Sequence, residues 1–169
     1  MQTFNLKPLF PDQSVQISLF RNVTNAKELK ELTTEGILQG CLIDGSLILD
    51  SFHILTAVNK ALYYQKLGRM KTKSLYSEIL FNLSPTNKIN ESLKTFGINE
   101  MTKKIIAVVL KDDLNSKVIT ESVNGEIVGL ENLEKIIDVE RIKKIYRLEQ
   151  NEEVTVEAVV TRMATKDVK

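Results

Sequence analysis

The sequence predicts an α+β protein with helices packed on a small, largely antiparallel sheet. Three observations support this fold class: an alternating apolar segment at 15–20, consecutive helix-like segments between 51 and 96, and a β-branched run at 105–110. Helices that follow one another, rather than alternating with strands, are typical of α+β folds. With 169 residues, 43% of them apolar, the chain is expected to form one domain over 1–169 with a sizeable core.

The first elements are a strand and a helix. A strand is predicted where apolar side chains occupy every second position, at Val15, Ile17 and Leu19. Asn25 then resembles a helix N-cap with Glu28 as its capping-box partner. This helix is expected to reach about residue 35, because Gly36 is a typical residue after a helix end.

Two short strands or extended segments, 42–43 and 47–49, are predicted on either side of an Asp44–Gly45 turn. Cys41, immediately before them, is expected to be a small buried or half-buried hydrophobic residue.

Three helices are predicted next. The strongest begins at Asp50 or Ser51 and ends at Gly68, and its apolar residues form one stripe: Phe52, Leu55, Val58 and Leu62. A second helix is predicted over 74–83, ended by Ser84–Pro85–Thr86. The third is predicted over 89–96 and ends before Gly97.

The remaining elements have weaker signals. The apolar run 105–110 is predicted to be a buried strand, and Asn124–Gly125 a hairpin turn between strands at 118–120 and 127–130. Residues 139–148 are compatible with a helix or a strand. A C-terminal helix is expected over 154–163.

The positive charge of the chain is concentrated in one segment, which we call the basic window, residues 51–77. It contains no acidic residue and holds five cations: Lys60, Lys66, Arg69, Lys71 and Lys73. Residues 51–98 have a net charge of +5, whereas the whole chain has +1. Such a segment can attract a polyanion, since each neutralised phosphate releases counterions. The alternative is a solvated helix face followed by a basic loop.

No familiar catalytic or nucleotide-binding motif is present in the sequence. The patterns GxxxxGK[ST] and GxGxxG are missing, as are the kinase catalytic-loop and metal-binding motifs. One histidine, His53, and one cysteine are too few for a convincing metal site, and we expect His53 to be structural. The sequence therefore indicates a binding or accessory protein without a catalytic site, metal, cofactor or small-molecule substrate.

The sequence also indicates a cellular compartment. The first ten residues lack the basic start and long apolar core of a signal peptide, and the apolar run 105–110 is far too short to span a membrane. We therefore expect no membrane association and a location in the cytoplasm and nucleus.

Several longer segments of the sequence show a resemblance to a known protein family. They are LFPDQSVQISLFRNVTNAKEL at 9–29, LDSFHILTAVNKALYYQKLGRM at 49–70, KTKSLYSEILFNLSPTNKINESLKTFGI at 71–98, KKIYRLEQ at 143–150 and RMATKDVK at 162–169. Together they resemble the small kinase-binding subunits of the KEOPS complex, also called EKC. The resemblance covers essentially the whole chain and is weakest between residues 110 and 135.

The resemblance implies a noncatalytic subunit. The KEOPS complex makes the N6-threonylcarbamoyl modification of the adenosine beside the anticodon of ANN-decoding tRNAs, and the chemistry belongs to another subunit, a metalloenzyme. The family binds the small atypical kinase PRPK, which is expected to act there as an ATPase. Archaeal relatives also bind tRNA, including its single-stranded CCA end. The implied partners are therefore PRPK, the other KEOPS subunits through it, and tRNA.

The family resemblance is concentrated at Asn59–Ala61, Glu78 and 84–97. Archaeal members often have the loop SGxRQI where this chain has SPTNKI at 84–89, so the glycine and arginine are missing and Lys88 keeps a cation. The predicted RNA-facing residues are Lys60, Lys66, Arg69, Lys71, Lys73 and Lys88, with Tyr63 or Tyr64 as a face on which bases could stack.

The predicted kinase interface consists of apolar residues from the C-terminal helix and the segment before it: Ile142, Tyr146, Val154, Ala158 and Met163. The alternative is that these residues pack in the protein's own core. Two other functions are also compatible with the sequence: a protein-only scaffold, and a small enzyme with an unrecognised site.

Overall fold

The structure is a computed structural model that describes residues 1–111 and 113–168. In this part of the chain, five β-strands and eight α-helices form the α+β architecture that the sequence predicts. In chain order they are β1 Gln2–Asn5, β2 Ser14–Arg21, α1 Ala26–Thr34, β3 Cys41–Asp44, α2 Ser51–Lys66, α3 Leu75–Leu83, α4 Ile89–Phe96, β4 Ile105–Leu110, α5 Asp113–Ser122, β5 Glu126–Val128, α6 Leu133–Ile136, α7 Val139–Tyr146 and α8 Val156–Thr165.

The chain divides into two compact units. We call the first the sheet unit, formed by Met1–Gly45 and Gly97–Asn132, and the second the helical unit, formed by Ser46–Phe96 and Leu133–Lys169. That the chain behaves as a single domain stays a prediction.

The sheet unit is built on an antiparallel sheet with the strand order β1-β2-β4-β3. One edge of β2 pairs with β4 over Val15–Phe20, and β1 and β5 pair with different parts of β2. The alternation predicted for β2 is confirmed, since Val15, Ile17 and Leu19 are each 0% exposed. The bounds predicted for β4 are also confirmed.

Helices α1 and α5 contribute to the core of this unit. Ala26 and Leu29 of α1 and Ile119 of α5 pack in one apolar cluster with side chains of β2, β3 and β4. Gly36 ends α1 as predicted, with a φ of 75° and its N–H donating to the Thr33 carbonyl. Cys41 is buried, as expected, and burial raises the pKa of its thiol.

Two predictions for the segment before β5 are wrong. Residues 118–120 lie in helix α5, and Asn124–Gly125 is therefore not a hairpin turn. Ile119 and Val123 are buried four residues apart while Val118 is 38% exposed, a helical rather than an alternating pattern.

Asn25 is the N-cap of α1, but its side chain makes no capping hydrogen bond. Its amide oxygen accepts from the Asn124 N–H at 2.9 Å, and its amide nitrogen donates to the Ser122 carbonyl at 2.8 Å. The predicted capping box is therefore absent, and the contact with Glu28 is a side-chain bond from the Asn25 amide to its carboxylate at 3.3 Å.

The helical unit begins within a 3₁₀ turn, Gly45–Leu47, whereas the sequence favoured an extended segment at 47–49. Leu47 and Ile48 are 0% exposed, so they fill core space without pairing as a strand. Asp50 then caps α2 by accepting the His53 N–H at 3.0 Å. Helices α3 and α4 match their predictions.

The predicted apolar stripe of α2 is wrong at its first residue. Phe52 is 57% exposed, and the buried residues of α2 are His53, Ile54, Ala57, Val58, Ala61 and Leu62. The amide of Asn82 on α3 donates to the Ala57 carbonyl at 3.2 Å, an approach to the backbone that a small side chain at this position allows. A stripe drawn only from large apolar residues therefore misses the buried face of α2, which includes the small residues Ala57 and Ala61.

Tyr146 links several elements of the helical unit. Its hydroxyl donates to the Leu83 carbonyl at 2.6 Å and lies 2.9 Å from Nε2 of His53. Its ring also lies against Phe96, with 6.0 Å between ring centroids. His53 is therefore a buried structural residue, as predicted, and burial lowers its pKa to about 3.

Helices α7 and α8 occupy the two C-terminal segments for which the sequence signals were weak. Residues 139–148 are helical over Val139–Tyr146, and Arg147 ends this helix in the left-handed region with a φ of 55°. The predicted C-terminal helix is present and begins at Val156, after the N-cap Thr155.

Candidate functional site

The most basic part of the helical unit is the connection between α2 and α3, residues 67–73, which we call the basic loop. Its second residue, Gly68, has a φ of 64°, and the Gly68 N–H donates to the Gln65 carbonyl at 3.1 Å. The Arg69 N–H donates to the Tyr64 carbonyl at 2.9 Å. These two bonds form a Schellman motif, which needs a residue without a side chain at Gly68 and directs the chain away from the helix axis.

The other end of the basic loop is fixed by a capping box. The Ser77 N–H donates to the Ser74 hydroxyl, and the Ser74 N–H donates to the Ser77 hydroxyl, both at 3.1 Å. Both ends of the loop are therefore fixed by capping motifs of the helices that they join.

Glu78 holds the middle of the basic loop. This carboxylate is 1% exposed and accepts the N–H of Lys71 at 3.1 and 3.2 Å, the N–H of Thr72 at 2.9 Å and the Thr72 hydroxyl at 2.7 Å. Hydrogen bonds to an ionised acceptor are stronger than neutral ones. The acidic residue that ends the basic window thus fixes the backbone that carries its cations.

Two cations of the basic window meet a carboxylate from the C-terminal part of the chain. One oxygen of Asp167 accepts from Nζ of Lys60, and the other lies 3.6 Å from Nζ of Lys71. Burial alone would raise the pKa of Asp167, but the hydrogen bond and charge of Lys60, with the charges of Lys71 and Lys166, outweigh it and lower that pKa.

Lys166 is the buried neighbour of this ion-pair cluster. Its Nζ donates to the Phe81 and Thr86 carbonyls and lies 3.7 Å from the centroid of the Phe81 ring. Burial, with the nearby charges of Lys60 and Lys71, lowers the pKa of Lys166 to about 8. Three lysine amines therefore share one region of the helical unit.

The remaining predicted RNA-facing cations are exposed. Lys66 is the last residue of α2, Arg69 and Lys73 lie in the basic loop, and none of the three forms an ion pair with another residue that the structure describes. Lys88 differs, since its Nζ lies 3.6 Å from Glu91. Tyr63 is 54% exposed, so of the two candidate tyrosines it has the more accessible face.

This arrangement is suited to binding an anion. Cations with water-exposed amines or guanidinium groups project from a backbone that is fixed by caps and by Glu78, and an exposed aromatic ring lies close by in sequence. Phosphates of a single strand can contact such cations while a base stacks on the ring.

The five predicted kinase-interface residues differ in their accessibility. Ile142 and Tyr146 are 0% exposed and Met163 is 3% exposed, so these side chains pack inside the helical unit. Val154 and Ala158 are half-buried. The placement favours the core alternative for the first three and leaves Val154 and Ala158 as the accessible part of the predicted interface.

Two contributors to the site were missed by the sequence reasoning. Glu78 was named only as part of the family resemblance, without a role in holding the loop, and Asp167 was not considered. No pattern in the sequence pairs Asp167 with Lys60, because the contact depends on how α8 packs on α2.

Other kinds of site find no support in the described residues. Over 1–111 and 113–168, no group of three or more His, Cys, Asp or Glu residues is placed to hold a metal ion. In the same ranges no helix is long and apolar enough to cross a membrane.

Comparison with known proteins defines the class of this protein. Residues 20–167 match the model of the family described as kinase binding protein CGI-121, and the chain belongs to that family. The family resemblance seen in the sequence is therefore confirmed.

Individual relatives agree with this assignment. The chain is 41% identical over 166 residues to the EKC/KEOPS complex subunit TPRKB of Danio rerio, covering 95% of each protein. It is 37% identical over 110 residues to the EKC/KEOPS complex subunit CGI121 of Yarrowia lipolytica, covering 64% of this chain and 65% of that protein. The corresponding subunit of Schizosaccharomyces pombe is 28% identical over 112 residues, covering 65% of this chain and 64% of that protein.

Proposed function

We propose that this protein is a noncatalytic subunit of an EKC/KEOPS complex. In that role it binds the atypical kinase PRPK and supports the threonylcarbamoyl modification of tRNA, with tRNA contacting the basic loop. The observation that carries the proposal is the match of residues 20–167 to a kinase-binding family. Near full-length similarity to a protein named as an EKC/KEOPS complex subunit supports the same assignment.

Kinase binding is tested by co-expression with PRPK and size-exclusion chromatography with light scattering. We expect a one-to-one complex that persists at micromolar concentration. If two separately folded partners elute apart, the assignment is contradicted.

The position of the kinase interface is tested with Val154→Asp. Val154 is half-buried just before α8, so an interface there would be disrupted by a charge that the free protein can still solvate. The matched control is Val118→Asp, the same change at a 38% exposed position of α5. Loss of PRPK binding at an unchanged melting temperature in the first variant alone supports the interface. A fall in melting temperature instead places Val154 in the core.

The RNA contact rests on the charge and rigidity of the basic loop. Arg69, Lys71 and Lys73 are exposed, and the backbone between them is held by Glu78. A fixed backbone reduces the entropy that the loop loses when it binds. The loop backbone therefore needs little further ordering when these cations contact phosphates.

Reversal of these three cations to Glu tests the RNA contact. We expect weaker tRNA binding and a salt dependence that is flatter by about 2 in the log–log slope, since each phosphate contact contributes about 0.7 on a single strand. A control with the same charge change replaces three exposed lysines of the sheet unit: Lys27, Lys30 and Lys103. Equal tRNA affinity of the two triple variants at low salt would contradict the contact and favour a protein-only scaffold.

A further inference from the structure

We propose that Lys60 and Lys71 form a binding site for a single phosphate group, and that the chain's own Asp167 occupies it. The 3₁₀ turn Lys166–Val168 would then compete with a backbone phosphate of the RNA for this site. The identity of the ligand rests on the proposed RNA contact, whereas the anion site itself rests on the geometry below.

The two oxygens of Asp167 face different lysines. Oδ2 pairs with Lys60 and Oδ1 lies 3.6 Å from Nζ of Lys71, so the carboxylate bridges α2 and the basic loop. Two non-bridging oxygens of a phosphate can bridge two ammonium groups in the same way. Lysine binds phosphate as a point charge and does not need the planar geometry of a guanidinium group.

If Asp167 leaves, the positive charge that remains at this site favours the binding of another anion. The amines of Lys60 and Lys71 would remain beside the buried Lys166, whose charge interacts with both. The other acidic group that acts on Lys166 is Glu78, and its oxygens accept hydrogen bonds from the amides of Lys71 and Thr72. Repulsion among the three cations would therefore be relieved by an anion supplied from outside.

Asp167 is placed so that it can be exchanged. Its side chain is 24% exposed, and the preceding residue is held independently: Lys166 donates to Phe81 and Thr86, and its carbonyl accepts from Asn87 at 2.9 Å. Asp167 can therefore leave the lysines while Lys166 remains anchored. The lysines that Asp167 leaves would be paired again by the incoming phosphate, so the exchange replaces one set of ion pairs with another.

The test compares Asp167→Asn with Glu121→Gln, which also removes one negative charge. Glu121 is a suitable control because its side chain is 66% exposed and lies in the sheet unit, 3.9 Å from Lys117. Fluorescence anisotropy with labelled tRNA at low salt should show about three-fold tighter binding for D167N and a log–log salt slope steeper by about 1. The double variant K71Q/D167N should return to the wild-type affinity.

A second measurement uses inorganic pyrophosphate and does not depend on RNA. In ¹H–¹⁵N spectra of the full chain, pyrophosphate should shift the amide signals of residues 71, 72 and 167 in the wild type, with half-saturation at about three-fold lower concentration in D167N. Because the wild-type titration is informative by itself, the proposal remains testable if a variant fails to fold.

The outcomes separate a failure of the proposed anion site from a failure of the proposed RNA contact. Equal tRNA affinity of D167N and E121Q, with tRNA bound by both, overturns the competition. If no form binds tRNA, the proposed RNA contact fails, and pyrophosphate decides the site. Shifts at the three amides then support an anion site, and their absence in both wild type and D167N overturns it.

Discussion

The Glu78 carboxylate offers the sharpest test of how the basic loop is held. We predict that Glu78→Gln lowers the free energy of unfolding by about 2 kcal/mol. In the native protein the carboxylate accepts two backbone N–H groups and the Thr72 hydroxyl, all charge-assisted bonds. A glutamine retains one acceptor oxygen, and its NH₂ group must face one of the donors.

The magnitude follows from the hydrogen bonds that change. A bond to a charged acceptor contributes about 1.5–3 kcal/mol and a neutral bond about 0.5–1.5, so three weakened bonds cost about 3 kcal/mol. A neutral glutamine costs less to bury than a carboxylate, and this offsets part of the loss. The net expectation is about 2 kcal/mol, together with faster amide exchange at Lys71 and Thr72.

The assay is urea unfolding followed by circular dichroism, with hydrogen exchange at the two amides. Glu91→Gln is the matched control, since Glu91 is 57% exposed and lies 3.6 Å from Lys88. This variant should differ from the wild type by less than about 0.5 kcal/mol. The reasoning is refuted if E78Q is as stable as E91Q, or if the exchange of Lys71 and Thr72 is unaltered.

Two further predictions concern the buried contact between Tyr146 and His53. Tyr146→Phe should lower the free energy of unfolding by about 1–3 kcal/mol, because the Leu83 carbonyl and the His53 ring lose a buried partner; a urea midpoint equal to the wild-type value would contradict this. Burial lowers the pKa of His53 from 6.5 to about 3, so protons bind the unfolded chain preferentially. The His53 contribution is therefore complete above pH 6.5 and is lost as the pH falls toward 3. At about 1.4 kcal/mol per pH unit, stability should fall by about 2 kcal/mol between pH 6.5 and pH 5, and equal values at pH 7 and pH 5 would refute the assignment.

Local signals in the sequence determined several element boundaries. Gly36 and Gly68 mark helix ends because the left-handed backbone at these positions suits a residue without Cβ. The bounds of α4 and β4 are the predicted ones, since each is an apolar pattern bounded by residues that interrupt it. The family could also be identified from the sequence, because the resemblance lies in long contiguous segments.

The tertiary structure decided which face of each element is buried. Phe52 is exposed while His53 is buried, because Tyr146, 93 residues later, supplies the hydrogen bond that lets an imidazole enter the core. Residues 118–120 are helical although their composition favours a strand, since Ile119 packs into the core of the sheet unit.

For the candidate site, too, one part could be predicted from the sequence and another part depended on the tertiary structure. Its cations are a property of composition, visible as a segment without acidic residues. Their arrangement depends on Glu78, which binds the loop backbone, and on Asp167, which reaches Lys60 only after α8 packs on α2. Electrostatic interactions depend on distance in space and not on separation along the chain, so only the folded structure shows which charges remain available to a partner.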